Sequence, residues 1–82
     1  MTKEEIRKII IDEIYRIAPE YEGEAIPEKE NLQAALEIDS YDFLNLLTAL
    51  YEKLGVEVPE SDYGKVDTLE HMVDYFAEQL KR

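Results

Sequence analysis

Apolar residues recur at helical spacing in three stretches of the chain. In the first, Ile6, Ile9, Ile10, Ile14 and Ile17 share one helix face. Thr2 precedes Glu5 at the spacing of a capping box, in which the hydroxyl accepts a free backbone N–H and the carboxylate reaches back. Glu13 interrupts the stripe and is expected at its rim. Ile11 and Tyr15 form a second, minor ridge, read as packing against a loop, with a partner contact as the sharper alternative. Pro19 ends the helix near Ala18, because the residue before a proline is pushed out of the α region.

The strongest pattern runs from Ser40 to Leu54, where Phe43, Leu46, Leu47, Leu50 and Leu54 line one face and Leu44 and Tyr51 flank it. So wide an apolar arc predicts a centrally packed helix. Asp39 and Asp42 suit its electropositive start, and Gly55 can take the left-handed dihedrals that close a helix. The opposite face carries Tyr41, Asn45, Thr48 and Glu52. The third stretch contains Leu69, Met72, Val73, Phe76, Ala77 and Leu80. Asp67 or Thr68 caps it, with Asp67 and Glu70 at capping-box spacing, and Lys81 and Arg82 complement the negative end of its dipole.

Glu20 to Asp39 shows no sustained period. A loop of that length in a small domain must be anchored or functional. Ile26, Leu32, Leu36 and Ile38 are candidate anchors, and Asn31 can cap a short helical turn ending at Leu36. Val56 to Pro59 alternates like a strand but has no strand to pair with, so it reads as a connector; Ser61–Lys65 reads as one short turn. The pattern predicts an all-α fold: a small three-to-four-helix bundle with a long first loop and a short third helix, forming a single domain over residues 1–82.

Composition narrows the function. Eighty-two residues leave room for one core with a thin stability margin. The net charge of −11 is spread along the whole chain. It argues against nucleic acid, whose phosphates need Lys and Arg, and against anionic membrane surfaces. Basic protein surfaces are the natural partners. Cysteine is absent, which removes disulfides, thiolate metal sites and cysteine nucleophiles. No apolar run is long enough for a membrane span, and the N-terminus lacks a signal-peptide core. A soluble cytoplasmic monomer is expected.

Catalysis within the chain finds no support. His71, the only histidine, reads as a solvated helix-surface residue, and no nucleophile has a base nominated beside it. The three glycines lie too far apart for a phosphate loop. An EF-hand fails as well: setting Gly64 at the sixth position puts Pro59 at the first, where a ligand is needed. No metal site is expected.

The informative junction is Leu36-Glu37-Ile38-Asp39-Ser40-Tyr41-Asp42-Phe43. A serine where a long loop meets a helix start has its hydroxyl at the positive end of a dipole, suited to holding a phosphate. A plain N-cap serine is the competing reading.

This junction resembles the acyl carrier protein family, whose signature is an Asp-Ser-Leu-like tripeptide opening a helix after a Leu-Gly-x pattern. The Ile-rich first helix, Gly55-Val-Glu-Val-Pro-Glu60 and Val66-Asp67-Thr68-Leu69 extend the resemblance over nearly the whole chain. It implies a carrier rather than a catalyst. A phosphopantetheinyl transferase would attach 4′-phosphopantetheine to Ser40, beside Asp39, and acyl groups would ride as thioesters on the thiol of that arm. Tyr41, Asp42, Asn45, Thr48 and Glu52 would face acyl-loading, acyl-transfer or synthase enzymes through their basic docking surfaces. Leu44, Leu50 and Val66 match positions lining the family's acyl cavity.

The chain also departs from that family. Glu37 replaces the usual glycine, which argues against a left-handed residue there. Tyr41 and Tyr63 are bulkier than the usual residues, and Asn45, Tyr51 and Lys53 thin out the acids of the docking helix. These changes point to a specialised discrete carrier. Fatty acyl, polyketide, and aminoacyl or D-alanyl cargo all remain open. So does an acidic helical interaction module with no prosthetic group.

Overall fold

The computed structural model describes residues 1–81 and is all-α. Its helices are α1 (Lys3–Ile17), α2 (Leu32–Leu36), α3 (Ser40–Leu54) and α4 (Leu69–Gln79), with 3-10 segments at Pro19–Tyr21 and Glu60–Val66. Among the described residues the only β feature is a single bridge between Asn31 and Thr68, and no helix is long and apolar enough to cross a membrane. Lys81 is exposed just beyond α4, and the dipole role expected of Arg82 falls outside the described residues.

Helix α1 starts as its sequence demands. The Thr2 hydroxyl accepts from the Glu5 N–H at 3.1 Å, and the Glu5 carboxylate accepts from the Thr2 N–H at 2.8 Å. Those bonds stabilise the charged carboxylate and lower the Glu5 pKa. Ile6, Ile10 and Ile14 are fully buried. The helix packs along both α3 and α4, so α1 takes the central place expected of the helix from Ser40. The width of the α3 arc misleads because its flank is left outside the core: Leu44 is 41% exposed and Tyr51 52%.

Glu13 is not at the rim. It is buried, with Arg16 Nη1 at 3.1 Å and Lys53 Nζ at 3.6 Å, so its carboxylate links α1 to the end of α3. A buried charge with two cationic partners is tolerable where an unpaired one is not. Ile11 and Tyr15 do pack against a loop: both are half-buried, and the Tyr15 hydroxyl donates to the Glu24 carbonyl at 2.7 Å.

The long first loop is anchored along its length. Ile26, Leu32 and Leu36 are buried. An Arg7–Glu28 ion pair ties the loop to α1. The Leu32 N–H donates to the Asp67 carbonyl at 2.8 Å and the Glu70 N–H to the Glu28 carbonyl at 3.0 Å, fastening it to the start of α4. Asn31 caps α2 by accepting from the Ala34 N–H at 3.1 Å.

The end of α2 overturns an expectation. Glu37 is left-handed, at φ 53° and ψ 42°. Its N–H reaches the Ala34 carbonyl and the Ile38 N–H reaches the Gln33 carbonyl at 3.0 Å, the pair of bonds that closes a helix through one left-handed residue. The backbone keeps this geometry although the glycine that suits it is missing.

Candidate functional site

Helix α3 opens on two adjacent residues with separate duties. Asp39 is the N-cap, in extended conformation, and its Oδ1 accepts from the Asp42 N–H at 2.9 Å. Ser40 is the first helical residue and is exposed. The competing reading of a capping serine therefore fails, because the carboxylate one residue earlier does the capping. Among the described residues, no side-chain hydrogen bond engages the Ser40 hydroxyl.

The local electrostatics suit an esterified phosphate. Ser40 and Tyr41 contribute first-turn N–H groups that have no carbonyl to meet inside the helix. Those N–H groups and the dipole of a 15-residue helix favour an anion at this point, whereas the nearby Asp39 and Asp42 oppose one. The residues thus fit a phosphodiester at Ser40: an accessible hydroxyl, free donors beside it, and open space next to it.

That space is a groove of about 570 Å³ between α3, the start of α2 and the 3-10 segment, in the size range of small-molecule sites. Ser40 and Leu44, one helical turn apart, line its α3 side with Phe43. Asn31 and Gln33 come from α2 and its cap, and Glu60, Tyr63, Gly64 and Asp67 close the far wall. The far wall is held by α4. The Tyr75 hydroxyl donates to Asp62 Oδ2 at 2.8 Å, and Lys65 pairs with the same carboxyl at 3.4 Å. Burial, and then the bond to Asp62, push the Tyr75 pKa up to about 12; the Asp62 carboxyl is lowered, chiefly by that same bond.

The junction before α4 takes one of its two expected forms. Thr68 is the cap, accepting from the His71 N–H at 3.0 Å, so the Asp67–Glu70 capping box does not form. Asp67 is drawn instead to His71 Nδ1 at 2.7 Å. That bond lowers the Asp67 pKa and raises that of His71, which is otherwise the exposed surface residue expected.

The other candidate residues divide clearly. Tyr41, Asn45, Thr48 and Glu52 are exposed on α3, with Tyr41 at 72%, and Asp42 is half-buried by its place in the cap. Of the three cavity positions only Leu44 reaches the groove; Leu50 and Val66 are fully buried in the core. Sequence reasoning missed Asn31, Gln33, Glu60 and Asp67 as groove residues. They come from loop segments without period, and only the pairing of the first loop with the start of α4 brings them together.

Comparison with known proteins adds an independent line. The family described as phosphopantetheine attachment site matches residues 4–76. An acyl carrier protein of Rubrobacter xylanophilus is 39% identical over 57 residues, covering 70% of this chain and 69% of its own. Those of Campylobacter hominis and Zymomonas mobilis are 31% identical over 72 residues and 30% over 77. The alignments cover 88% and 94% of this chain, and 85% and 92% of theirs.

Proposed function

The chain belongs to the phosphopantetheine attachment-site family, and on that premise we propose that it carries acyl groups on an arm joined to Ser40 and delivers them to separate biosynthetic enzymes. It is a substrate of other enzymes rather than a catalyst, and its cofactor is covalently bound 4′-phosphopantetheine. The arm supplies a terminal thiol, which holds acyl groups as thioesters and which a chain without cysteine cannot supply itself.

One observation carries the assignment to Ser40: its hydroxyl is exposed at the first position of α3 and excused from capping by Asp39. In the proposed attachment Ser40 Oγ bonds to phosphorus, the adenosine bisphosphate half of coenzyme A leaves, and the hydroxyl proton passes to a base of the transferase. Asp39 fixes the start of the helix, and the free N–H groups of Ser40 and Tyr41 face the new phosphodiester. Tyr41, Asp42, Asn45, Thr48 and Glu52 form the docking face for the transferase and the acyl-handling enzymes. Residues 1–82 act as a single domain in this scheme.

Intact-mass analysis after incubation with coenzyme A and a broad-range transferase tests the reading. Wild type gains the mass of one arm and Ser40→Ala gains none. A wild-type chain that never gains it would end the proposal.

A further inference from the structure

Glu13 occupies a place where the stripe of α1 invites another apolar residue. It falls between the buried Ile10 and Ile14 and is itself only 3% exposed. A buried ion pair gives little net stability over a well-packed apolar contact, so the fold alone does not account for a carboxylate here. Its two oxygens take separate cations. Oε1 holds Arg16 Nη1 at 3.1 Å, and Oε2 holds Lys53 Nζ at 3.6 Å. Arg16 belongs to α1 itself, whereas Lys53 comes from the last turn of α3, the helix that bears the proposed docking face.

Lys53 is the one basic residue of α3, and Asp42 and Glu52 are its only acids. Tyr41, Asn45, Thr48 and Glu52 lie in one stripe of that helix. Lys53 follows Glu52, about 100° further round. Its side chain is half-exposed, and its flexible four-carbon stem lets the ammonium swing to either side. Turned toward the stripe, it would cancel the Glu52 charge and meet a basic partner with repulsion. Turned toward Glu13, it leaves Asp42 and Glu52 to act outward. The buried carboxylate attracts it more strongly than the exposed Glu52 does, because its surroundings are less polar and salt screens it less. We infer that Glu13 is a positioning residue for partner docking: it holds the Lys53 ammonium on the α1 side, away from the face that basic enzymes approach. The inference rests on the carrier reading and names a residue, outside the docking face, that keeps that face acidic.

The test follows attachment of the arm to the full chain, using coenzyme A and a transferase whose carrier-binding surface is basic, at low and at high ionic strength. No mass gain by wild type would overturn the carrier reading and this inference with it. With wild type loading, Glu13→Gln is expected to raise the KM for the chain about three- to fivefold at low salt, the effect of one ammonium facing a second cation across water. The kcat should not change, and the difference should vanish at high salt. Adding Lys53→Gln to Glu13→Gln should restore the wild-type KM, which a merely loosened helix contact would not do. Asp12→Asn makes the same charge change and releases Lys8 on the α1 surface, and its KM should stay at the wild-type value. Lys53→Gln alone, which leaves Glu13 with Arg16, should also match wild type, and it decides the matter if Glu13→Gln does not fold. The inference is overturned, with the carrier reading intact, by any of four results. These are a Glu13→Gln KM equal to wild type, a rise that survives Lys53→Gln or high salt, an equal rise in Asp12→Asn, or a Lys53→Gln KM several-fold below wild type.

Discussion

Replacing Glu37 by glycine should make this protein more stable, although it removes a side chain. Glu37 holds φ 53° in the turn that closes α2 three residues before Ser40. A residue with a Cβ loses about 1–2 kcal/mol in that conformation relative to its ordinary one. Glycine avoids the clash but brings a more flexible unfolded chain, worth about 0.5–1 kcal/mol in the opposite direction. The side chain itself contributes little, since its contact with the exposed Tyr21 hydroxyl is long, at 3.5 Å. The expected net gain is about 0.5–1 kcal/mol, or about 2–8 °C in melting temperature for a domain of this size. Removing one acid from a chain of charge −11 also relieves repulsion, so Glu37→Gln is the necessary control. Thermal and urea unfolding followed by far-ultraviolet circular dichroism would read both variants. If Glu37→Gly is no more stable than Glu37→Gln, the turn holds no conformational penalty and the reasoning fails.

The Asp67–His71 pair sets a pH window. His71 is raised above its ordinary 6.5, so its contribution is complete below that value and fades as pH rises through the folded-state pKa; Asp67 is lowered below its ordinary 3.8, so its share is lost only in more acidic solution. Melting temperatures of wild type and His71→Gln should differ most between those two values and converge above neutrality, and a difference that does not change with pH would refute the pairing. Leu46 is fully buried on α3, so Leu46→Ala should cost about 2–5 kcal/mol, a large part of a small domain's margin. Urea titration reads that loss directly, and a cost under about 1 kcal/mol would mean the core is looser than its burial indicates.

The helices and their caps were legible because each rests on neighbours in sequence. Thr2 with Glu5 and Asn31 with Ala34 are pairs three residues apart and the structure uses both, whereas at α3 the capping reading fell on Ser40 and the structure gives the cap to Asp39. The start of α3 at Ser40 was legible for the same reason. Features that depend on contacts between distant segments were not. Glu13 reads as a blemish until Lys53, forty residues later, is brought beside it. The sequence leaves Asp67 and Thr68 both open as the cap of α4, and the choice falls to Thr68 where the Asp67 carbonyl accepts from Leu32 and its side chain is held by His71. Glu37 shows the same limit in the backbone: residue type argued against a left-handed turn, and the two closing bonds of α2 impose one. The groove was the least visible feature, since its walls come from three segments that share no periodic pattern.

The division of labour between Asp39 and Ser40 reaches beyond the cap itself. Because the Asp39 carboxylate holds the first turn, the proposed esterification and release at the neighbouring hydroxyl would leave the hydrogen bond of that turn untouched. In the proposed role the cap would therefore be the same before and after each round of charging, and the timing of those rounds would fall to the partner enzymes.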